Sequence, residues 1–382
     1  MTLKLAKRGQ IPPFIVMDVM RAAFEREQAK GDVLHLEVGQ PSTPAPQGVI
    51  TAAKAALEAE NLGYTDALGI PQLRARIALH YQSWYGIDVP LERIIVTTGS
   101  SGAFVLAFLA GFDPGDRVAV AEPGYPCYRN ILSALGIEPV PIVTTGASRY
   151  QPSIELLEAV QGSLDGLIVA SPSNPTGTML SSSELEALAD YCGARGIRLI
   201  SDEIYHGITY GERAASALQF TDNAIVVNSF SKYFSMTGWR LGWAILPEDL
   251  TRASERLAQN LYISPPSLSQ HAALAAFDCH DELQANVARY AANRELLLEN
   301  LPLAGFARLA PAQGAFYIYA DIAGLTNDSE DFCRRMLAET GVATTPGIDF
   351  DPGRGHGFMR FSFAGATTDM AEATERLKAW LA

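Results

Sequence analysis

From Ile94 to Leu246 one texture repeats along the chain: a short apolar run rich in β-branched residues, then a longer stretch with apolar positions at helical spacing. Six runs read as strands, at Ile94–Thr97, Arg117–Ala121, Gly166–Ala170, Ile197–Ser201, Ala224–Asn228 and Gly242–Leu246. Between them the spacing predicts helices such as Ala103–Phe112, Tyr125–Leu135 and Ser182–Arg195. Short apolar strands alternating with helices predict an α/β fold, its mostly parallel sheet covered by helices on both faces.

The flanks read differently. An amphipathic helix is predicted over Ile15–Lys30, entered through Pro12-Pro13 and stopped near Gly31. A short strand follows at Leu34–Val38, ending at Gly39-Gln40-Pro41, with helices at Gln47–Ala59 and Gln72–Trp84. After about Pro266 the texture becomes α+β. Helices are predicted at Leu268–Asp278, Leu283–Asn300, Ser329–Glu339 and Asp369–Leu381, with strands at Phe316–Asp321 and Phe358–Ser362. We expect residues 1–45 and 281–382 to combine into a smaller domain, and residues 46–280 to form the larger sheet domain.

Composition narrows the class without naming it. With 382 residues, 48 % apolar and 19 % charged, the chain is globular and long enough for two domains. The net charge of −13 argues against a nucleic-acid partner. Cys127, Cys192, Cys279 and Cys333 are far apart and show no metal-ligand spacing, as expected of reduced thiols. No apolar stretch of signal-peptide length follows Lys4, Lys7 and Arg8, and no uninterrupted apolar segment is long enough to span a bilayer, so the expected setting is the cytoplasm.

The chemistry collects after the strands, and in an open parallel sheet ligands sit beyond the strands' carboxyl ends. Gly166–Ala170 runs into Ser171-Pro172-Ser173-Asn174-Pro175-Thr176-Gly177, and Ile197–Ser201 into Asp202-Glu203-Ile204-Tyr205. Ala224–Asn228 runs into Ser229-Phe230-Ser231-Lys232, with Arg240 eight residues beyond the lysine. A parallel sheet would gather Asn174, Asp202, Tyr205 and Lys232 in one crevice. A lysine amine forms a Schiff base with an aldehyde, while hydroxyls and a guanidinium hold a phosphate. Pyridoxal 5′-phosphate (PLP) carries both groups. Asp202 would keep its pyridine nitrogen protonated, and Asn174 and Tyr205 would hydrogen-bond its phenolate oxygen. Gly99-Ser100-Ser101-Gly102-Ala103 opens a helix after Ile94–Thr97 and suits the phosphate. Tyr125, in Glu122-Pro123-Gly124-Tyr125-Pro126, stands where a ring could stack on a flat cofactor. Each piece has a plain alternative: a solvated lysine, a turn, an N-cap, a packed tyrosine. Only their convergence is specific.

Taken in order, these motifs resemble a known family. Tyr64-Thr65, Gly69, Leu73-Arg74, Gly99-Ser100-Ser101-Gly102-Ala103 and Pro123-Gly124-Tyr125-Pro126 begin the set. Asn174-Pro175-Thr176-Gly177, Asp202-Glu203-Ile204-Tyr205, Ser229-Phe230-Ser231-Lys232, Arg240-Leu241-Gly242 and Arg360-Phe361-Ser362-Phe363-Ala364 complete it. The whole, from about Gly39 to Arg360, resembles the class I/II PLP-dependent aminotransferases (fold type I, aspartate-aminotransferase-like). The resemblance implies a large domain around a seven-stranded sheet and a homodimer with two composite sites. Lys232 would carry the internal aldimine and shuttle the proton from the substrate Cα. Asp202 would pair with the pyridine nitrogen, and Asn174 and Tyr205 with the phenolate. Ser100, Ser101, Ser229 and Arg240 would hold the phosphate, with Gly102 and Ser231 also at the cofactor and Tyr64 reaching over from the neighbouring subunit. Tyr125 would stack on the ring. Arg360 would clamp the substrate α-carboxylate in a two-pronged salt bridge, beside the Gly39 backbone and with Tyr125 and Asn174 close by.

One departure bears on substrate. Aspartate-preferring relatives often have a lysine where Ser101 aligns, and here the segment Ile11–Met17, which in the family lies over the substrate, is apolar. Neutral or aromatic side chains are therefore favoured, with aspartate possible; the segment Tyr262-Ile263-Ser264-Pro265, contributed by the neighbouring subunit, would also line the pocket. The expected reaction moves an amino group from an L-amino acid to a 2-oxo acid in ping-pong fashion. Two rivals share the cofactor. A cysteine-conjugate β-lyase would use the same residues to expel a β-substituent. A PLP-sensing regulator would carry a DNA-binding domain, which no segment of this acidic chain fits.

Overall fold

Seven strands hydrogen-bond into one sheet in the order Ile94–Thr97, Gly242–Ile245, Ile225–Ser229, Arg198–Asp202, Gly166–Ala170, Arg117–Glu122 and Glu138–Val143. The computed structural model that shows this describes residues 3–59 and 61–382. Gly242–Ile245 runs antiparallel to both its neighbours, and every other pairing is parallel. Successive side chains along a strand point to opposite faces, and here both faces are apolar. Ile95, Val118, Val120, Ile168, Ile200 and Val227 enter one buried cluster, joined by Phe104 and Phe108 of the helix Gly99–Gly111. Ile94, Ala119, Leu167, Val169, Leu199 and Val226 enter the other, beneath the helices Pro71–Tyr85 and Ser182–Arg195.

The smaller domain has a four-stranded antiparallel sheet in the order Thr345–Pro346, Phe358–Ser362, Tyr317–Asp321 and Arg308–Leu309. The helices His280–Asn300 and Thr367–Leu381 bury Leu297 and Leu377 in the same cluster as Val226. The helix Ile15–Lys30 ends at Gly31, whose φ of 68° admits the turn that lets its N–H donate to Glu27 O at 2.7 Å.

Most of the expected elements are present, with instructive differences. The seventh strand of the large sheet, Glu138–Val143, was not among the six runs named from the pattern. It is an edge strand carrying Pro139 and Pro141, with only Val140 and Ile142 buried, and prolines are tolerated where one side of the strand has no neighbour. The run Leu34–Val38 keeps regular pairing only at Leu34–His35, against Val342–Ala343. Beyond it the backbone changes partners: Leu36 N–H donates to Ala343 O, whereas Leu36 O accepts from Ser362 N–H and Glu37 O from the Thr345 hydroxyl. The helix expected over Leu268–Asp278 is α-helical at Ser267–Ala273 and tightens to a 3-10 turn over Leu274–Asp278, a common ending. The four cysteines are unpaired. Among the described residues no helix is long and apolar enough to cross a membrane.

Gly242 is the point where the antiparallel strand meets the start of the helix Gly99–Gly111. A Cβ there would lie 2.9 Å from Asn228 O, Gly99 C and Ser100 N, all backbone atoms. Gly242→Ala is expected to lower the unfolding free energy in urea by roughly 1–3 kcal/mol. An unchanged denaturation midpoint would show that the helix start can shift freely.

Candidate active site

The parallel strands deliver their ends to one cleft of about 160 Å³. Ile94–Thr97 leads to Ser100 and Ser101, Arg117–Glu122 to Tyr125, and Gly166–Ala170 to Asn174. Arg198–Asp202 ends on Asp202 and turns to Tyr205, while Ile225–Ser229 leads to Ser231 and Lys232. Arg240 arrives from the opposite direction: it precedes the one antiparallel strand, which therefore starts at this same edge. Gly39 and Arg360, the latter on Phe358–Ser362 of the small sheet, close the other side. Three expected residues do not line this cleft. Gly102 lies inside the helix, where a Cβ would be 2.6 Å from Thr98 Oγ1. Ser229 is buried behind, its Oγ 2.9 Å from Ser231 Oγ and 3.1 Å from Leu241 O. Tyr64 stands on the surface, 84 % exposed.

The cleft is electrically asymmetric. Asp202 is buried, and its carboxylate accepts from the Tyr128 hydroxyl and, at 3.1 Å, from Ile204 N–H. Burial pushes its carboxyl up to about 6, against the pull of those two donors and of Lys232. Lys232 donates to Gly39 O at 2.7 Å. Burial first, then the charges of Arg360 and Arg240, bring its amine down to about 8, with Asp202 opposing.

Arg360 is 2 % exposed. Its Nη1 donates to Asn174 Oδ1 at 2.8 Å, and its Nη2 to Glu37 O and, at 3.1 Å, to Thr345 Oγ1. The rings of Tyr317 and Phe350 lie 4.4 and 4.7 Å from its central carbon. Its Nε has no partner, and among the described residues no carboxylate pairs with it. A buried cation held only by neutral groups is set to receive an anion.

At the opposite end, the N-terminus of the helix Gly99–Gly111 meets Arg240. Gly99 has φ 77°, and a Cβ on it would lie 2.6 Å from Arg240 Nη2, so only glycine lets the guanidinium rest over the helix start. Exposed N–H groups, the hydroxyls of Ser100 and Ser101, and this guanidinium together make an anion site.

Two residues at the site escaped the sequence reading. Tyr128, which donates to Asp202, stands three positions after Tyr125 on the helix Pro126–Leu135; that spacing was its only signal. Tyr317, whose hydroxyl is 2.6 Å from that of Tyr205, had none. His206 is buried outside the cleft, 2.6 Å from Tyr85 OH and 2.9 Å from Ser171 O, and burial holds its imidazole down to about 4.

A family description, aminotransferase class I and II, matches residues 31–377. The chain belongs to this family. A valine–pyruvate aminotransferase of Mycobacterium tuberculosis is 53 % identical over 100 % of this chain and 99 % of its own length. A crystal structure of an aminotransferase from the same organism superposes with a TM-score of 0.98 at 53 % identity, covering 100 % of this chain and 99 % of that one. An aspartate aminotransferase from Thermus thermophilus, solved with maleate, superposes at 0.92 with 31 % identity over 99 % and 100 % of the two chains.

Aminotransferases of this family use PLP. The donor set fits that cofactor: an amine of lowered basicity, a buried carboxylate across the cleft, and an anion site at a helix start.

The lowered amine has a readout in the cofactor-free protein. Labelling of Lys232 by trinitrobenzenesulfonate, followed by peptide mass, should rise with pH through a midpoint near 8, because only the neutral amine reacts and it predominates above its pKa. A midpoint near the ordinary lysine value of 10.5 would contradict the electrostatics described above.

Proposed function

We propose that this aminotransferase takes the amino group of a neutral L-amino acid, a branched aliphatic one foremost, and gives it to a 2-oxo acid such as pyruvate. Donor and acceptor use the same cleft in turn, as expected for ping-pong kinetics. The observation that carries the reading is the buried, carboxylate-free Arg360 facing a cleft walled by Phe14, Val16 and Met17. Among the described residues the other cations lining the cleft are Lys232 and Arg240, each with a proposed role of its own, and no further cation there is left to face an acidic substrate side chain. The name of the 53 % identical relative, valine–pyruvate aminotransferase, supports the same choice.

The roles follow from position. Arg360 receives the α-carboxylate through a planar two-pronged fork, and its bonds to Asn174, Glu37 O and Thr345 hold that fork in place. The α-carbon then lies within reach of Lys232. PLP, when bound, supplies an aldehyde for the amino group and a ring that stabilises negative charge at that carbon. Lys232 anchors the cofactor between turnovers. Its free Nζ would carry the proton from the donor's Cα to the cofactor's aldehyde-derived carbon, and in the opposite sense for the 2-oxo acid, a task for which an amine of lowered basicity is suited. Asp202 would pair with the ring nitrogen, and Tyr128 and Ile204 N–H fix the orientation of its carboxylate. Asn174 and Tyr205 would tune the ring oxygen, Tyr125 would cover the ring, and Ser100, Ser101, Ser231 and Arg240 would serve the phosphate, with Ser229 bracing Ser231 from behind.

The exposed Tyr64, with Leu261 and Ile263 about half exposed, supports a homodimer in which Tyr64 reaches the cleft of the second copy. The cytoplasm is the proposed setting.

With pyruvate as acceptor, kcat/KM for valine should exceed that for aspartate by at least about tenfold. An aspartate rate equal to or above the valine rate would sink the neutral-substrate reading. Lys232→Ala should abolish turnover and the visible absorbance of the bound cofactor. Arg360→Ala should weaken amino-acid binding by something on the order of 2–5 kcal/mol while cofactor affinity holds. If titrations show unaltered amino-acid affinity, the carboxylate is bound elsewhere.

A further inference from the structure

The helix Ile15–Lys30 begins without a capping side chain of its own: Phe14 occupies the N-cap and can accept nothing. Its first two N–H groups are taken by a residue 334 positions further along the chain. Ile15 N–H donates to Asp349 Oδ1 and Val16 N–H to Asp349 Oδ2, each at 3.1 Å. Asp349 is 1 % exposed, so the two bonds are out of competition with water, and its charge faces the positive end of the helix dipole.

What this cap holds in place is the wall of the cleft. Phe14, Val16 and Met17, which bracket the capped N–H groups, line it, and Phe14 meets the ring of Tyr125 edge-on at 5.7 Å between centroids. The loop carrying Asp349 is itself tied to the site. Arg129 donates to Asp349 O at 2.5 Å, Gly124 N–H donates to Phe350 O at 3.1 Å, and the Phe350 ring lies beside Arg360. One short loop thus touches both the carboxylate clamp and the segment facing the substrate side chain.

We propose that Asp349 is a positioning residue that sets side-chain preference, by fixing Phe14, Val16 and Met17 at a defined distance from Arg360. The inference rests on the reading that these three residues face the substrate side chain. It predicts that loosening the cap erases discrimination among neutral donors while the chemistry at Lys232 stays intact.

The test uses the PLP-loaded enzyme with Asp349→Asn, which keeps the shape but replaces one acceptor oxygen by an N–H donor. The ratio of kcat/KM for valine over alanine is expected to fall about tenfold, because alanine has no side chain long enough to use the wall. Amide exchange at Ile15 and Val16 should quicken, with that of the helix Gly99–Gly111 unchanged. Ile15→Pro gives a second, independent arm, which also serves should the first variant fold poorly. It deletes one donor without touching Asp349, at a first helical position that suits proline and after a residue, Phe14, already extended at φ −92° and ψ 98°. The same loss of ratio is expected. A valine-to-alanine ratio that both variants leave intact, or a parallel fall for both donors, would overturn the role of Asp349. A parent enzyme that uses neither donor would instead sink the neutral-substrate reading beneath it.

Discussion

A guanidinium removed from water, with no carboxylate in salt-bridge contact among the described residues, is the constraint around which the cleft is organised. Arg360 reaches from the small sheet to Asn174 at the end of a large-sheet strand, so one hydrogen bond links the two sheets through the substrate position. Burying such a charge is costly, and neutral acceptors and two aromatic faces offset only part of the cost. The remainder is a standing preference for an anion of carboxylate shape. The same charge helps lower the basicity of Lys232, so the proposed carboxylate clamp and the proposed proton carrier are electrostatically coupled.

The acidic side of the cleft obeys a complementary logic. Asp202 and Glu203 are neighbours and both are buried, yet two adjacent charges could not be sustained there. Burial pushes Glu203 up to about 8, opposed by Ala217 N–H at 2.9 Å, Ser216 Oγ at 3.0 Å and Ser201 Oγ at 3.2 Å, all donating to its Oε1. Glu203 is therefore mostly neutral near pH 7 and works as a brace for the loop at Ser216–Ala217. Asp202, with a carboxyl near 6, keeps the negative charge on the cleft side, where the proposed pairing with a ring nitrogen requires it. Two identical functional groups side by side thus take different tasks through their surroundings alone.

How much of this was legible in the sequence depended on how local the cause was. The strands Ile94–Thr97, Gly166–Ala170 and Phe358–Ser362 and the helix Ile15–Lys30 were delimited correctly because burial on both faces, or a proline entry and a glycine exit, mark them within a few residues. The convergence of Asn174, Asp202, Tyr205 and Lys232 followed from a parallel sheet alone. What failed needed a partner distant in sequence. Glu138–Val143 is a strand only because Arg117–Glu122 lies beside it. Tyr317 and Tyr205 are 112 positions apart, and no periodicity could have paired them. The direction of Gly242–Ile245, which brings Arg240 to the cleft rather than to the far edge, was likewise set by its neighbours and by no motif.

The division of labour that results has a consequence for specificity. The groups proposed to act on the cofactor sit at the ends of a doubly covered sheet, where a small displacement would disturb all of them together. The cleft-lining residues proposed to face the substrate side chain come from the beginning of the chain, and the one proposed to hold its carboxylate, Arg360, from near the end. These two segments meet through the 347–350 loop and not through the sheet. Substrate choice can therefore change by altering Phe14, Val16, Met17 or the loop that pins them, leaving Lys232 and Asp202 untouched. A fold arranged in this way can keep one chemistry while its donors differ, because the proposed side-chain wall carries neither Lys232 nor Asp202 and meets the cofactor side of the cleft at the Phe14–Tyr125 contact.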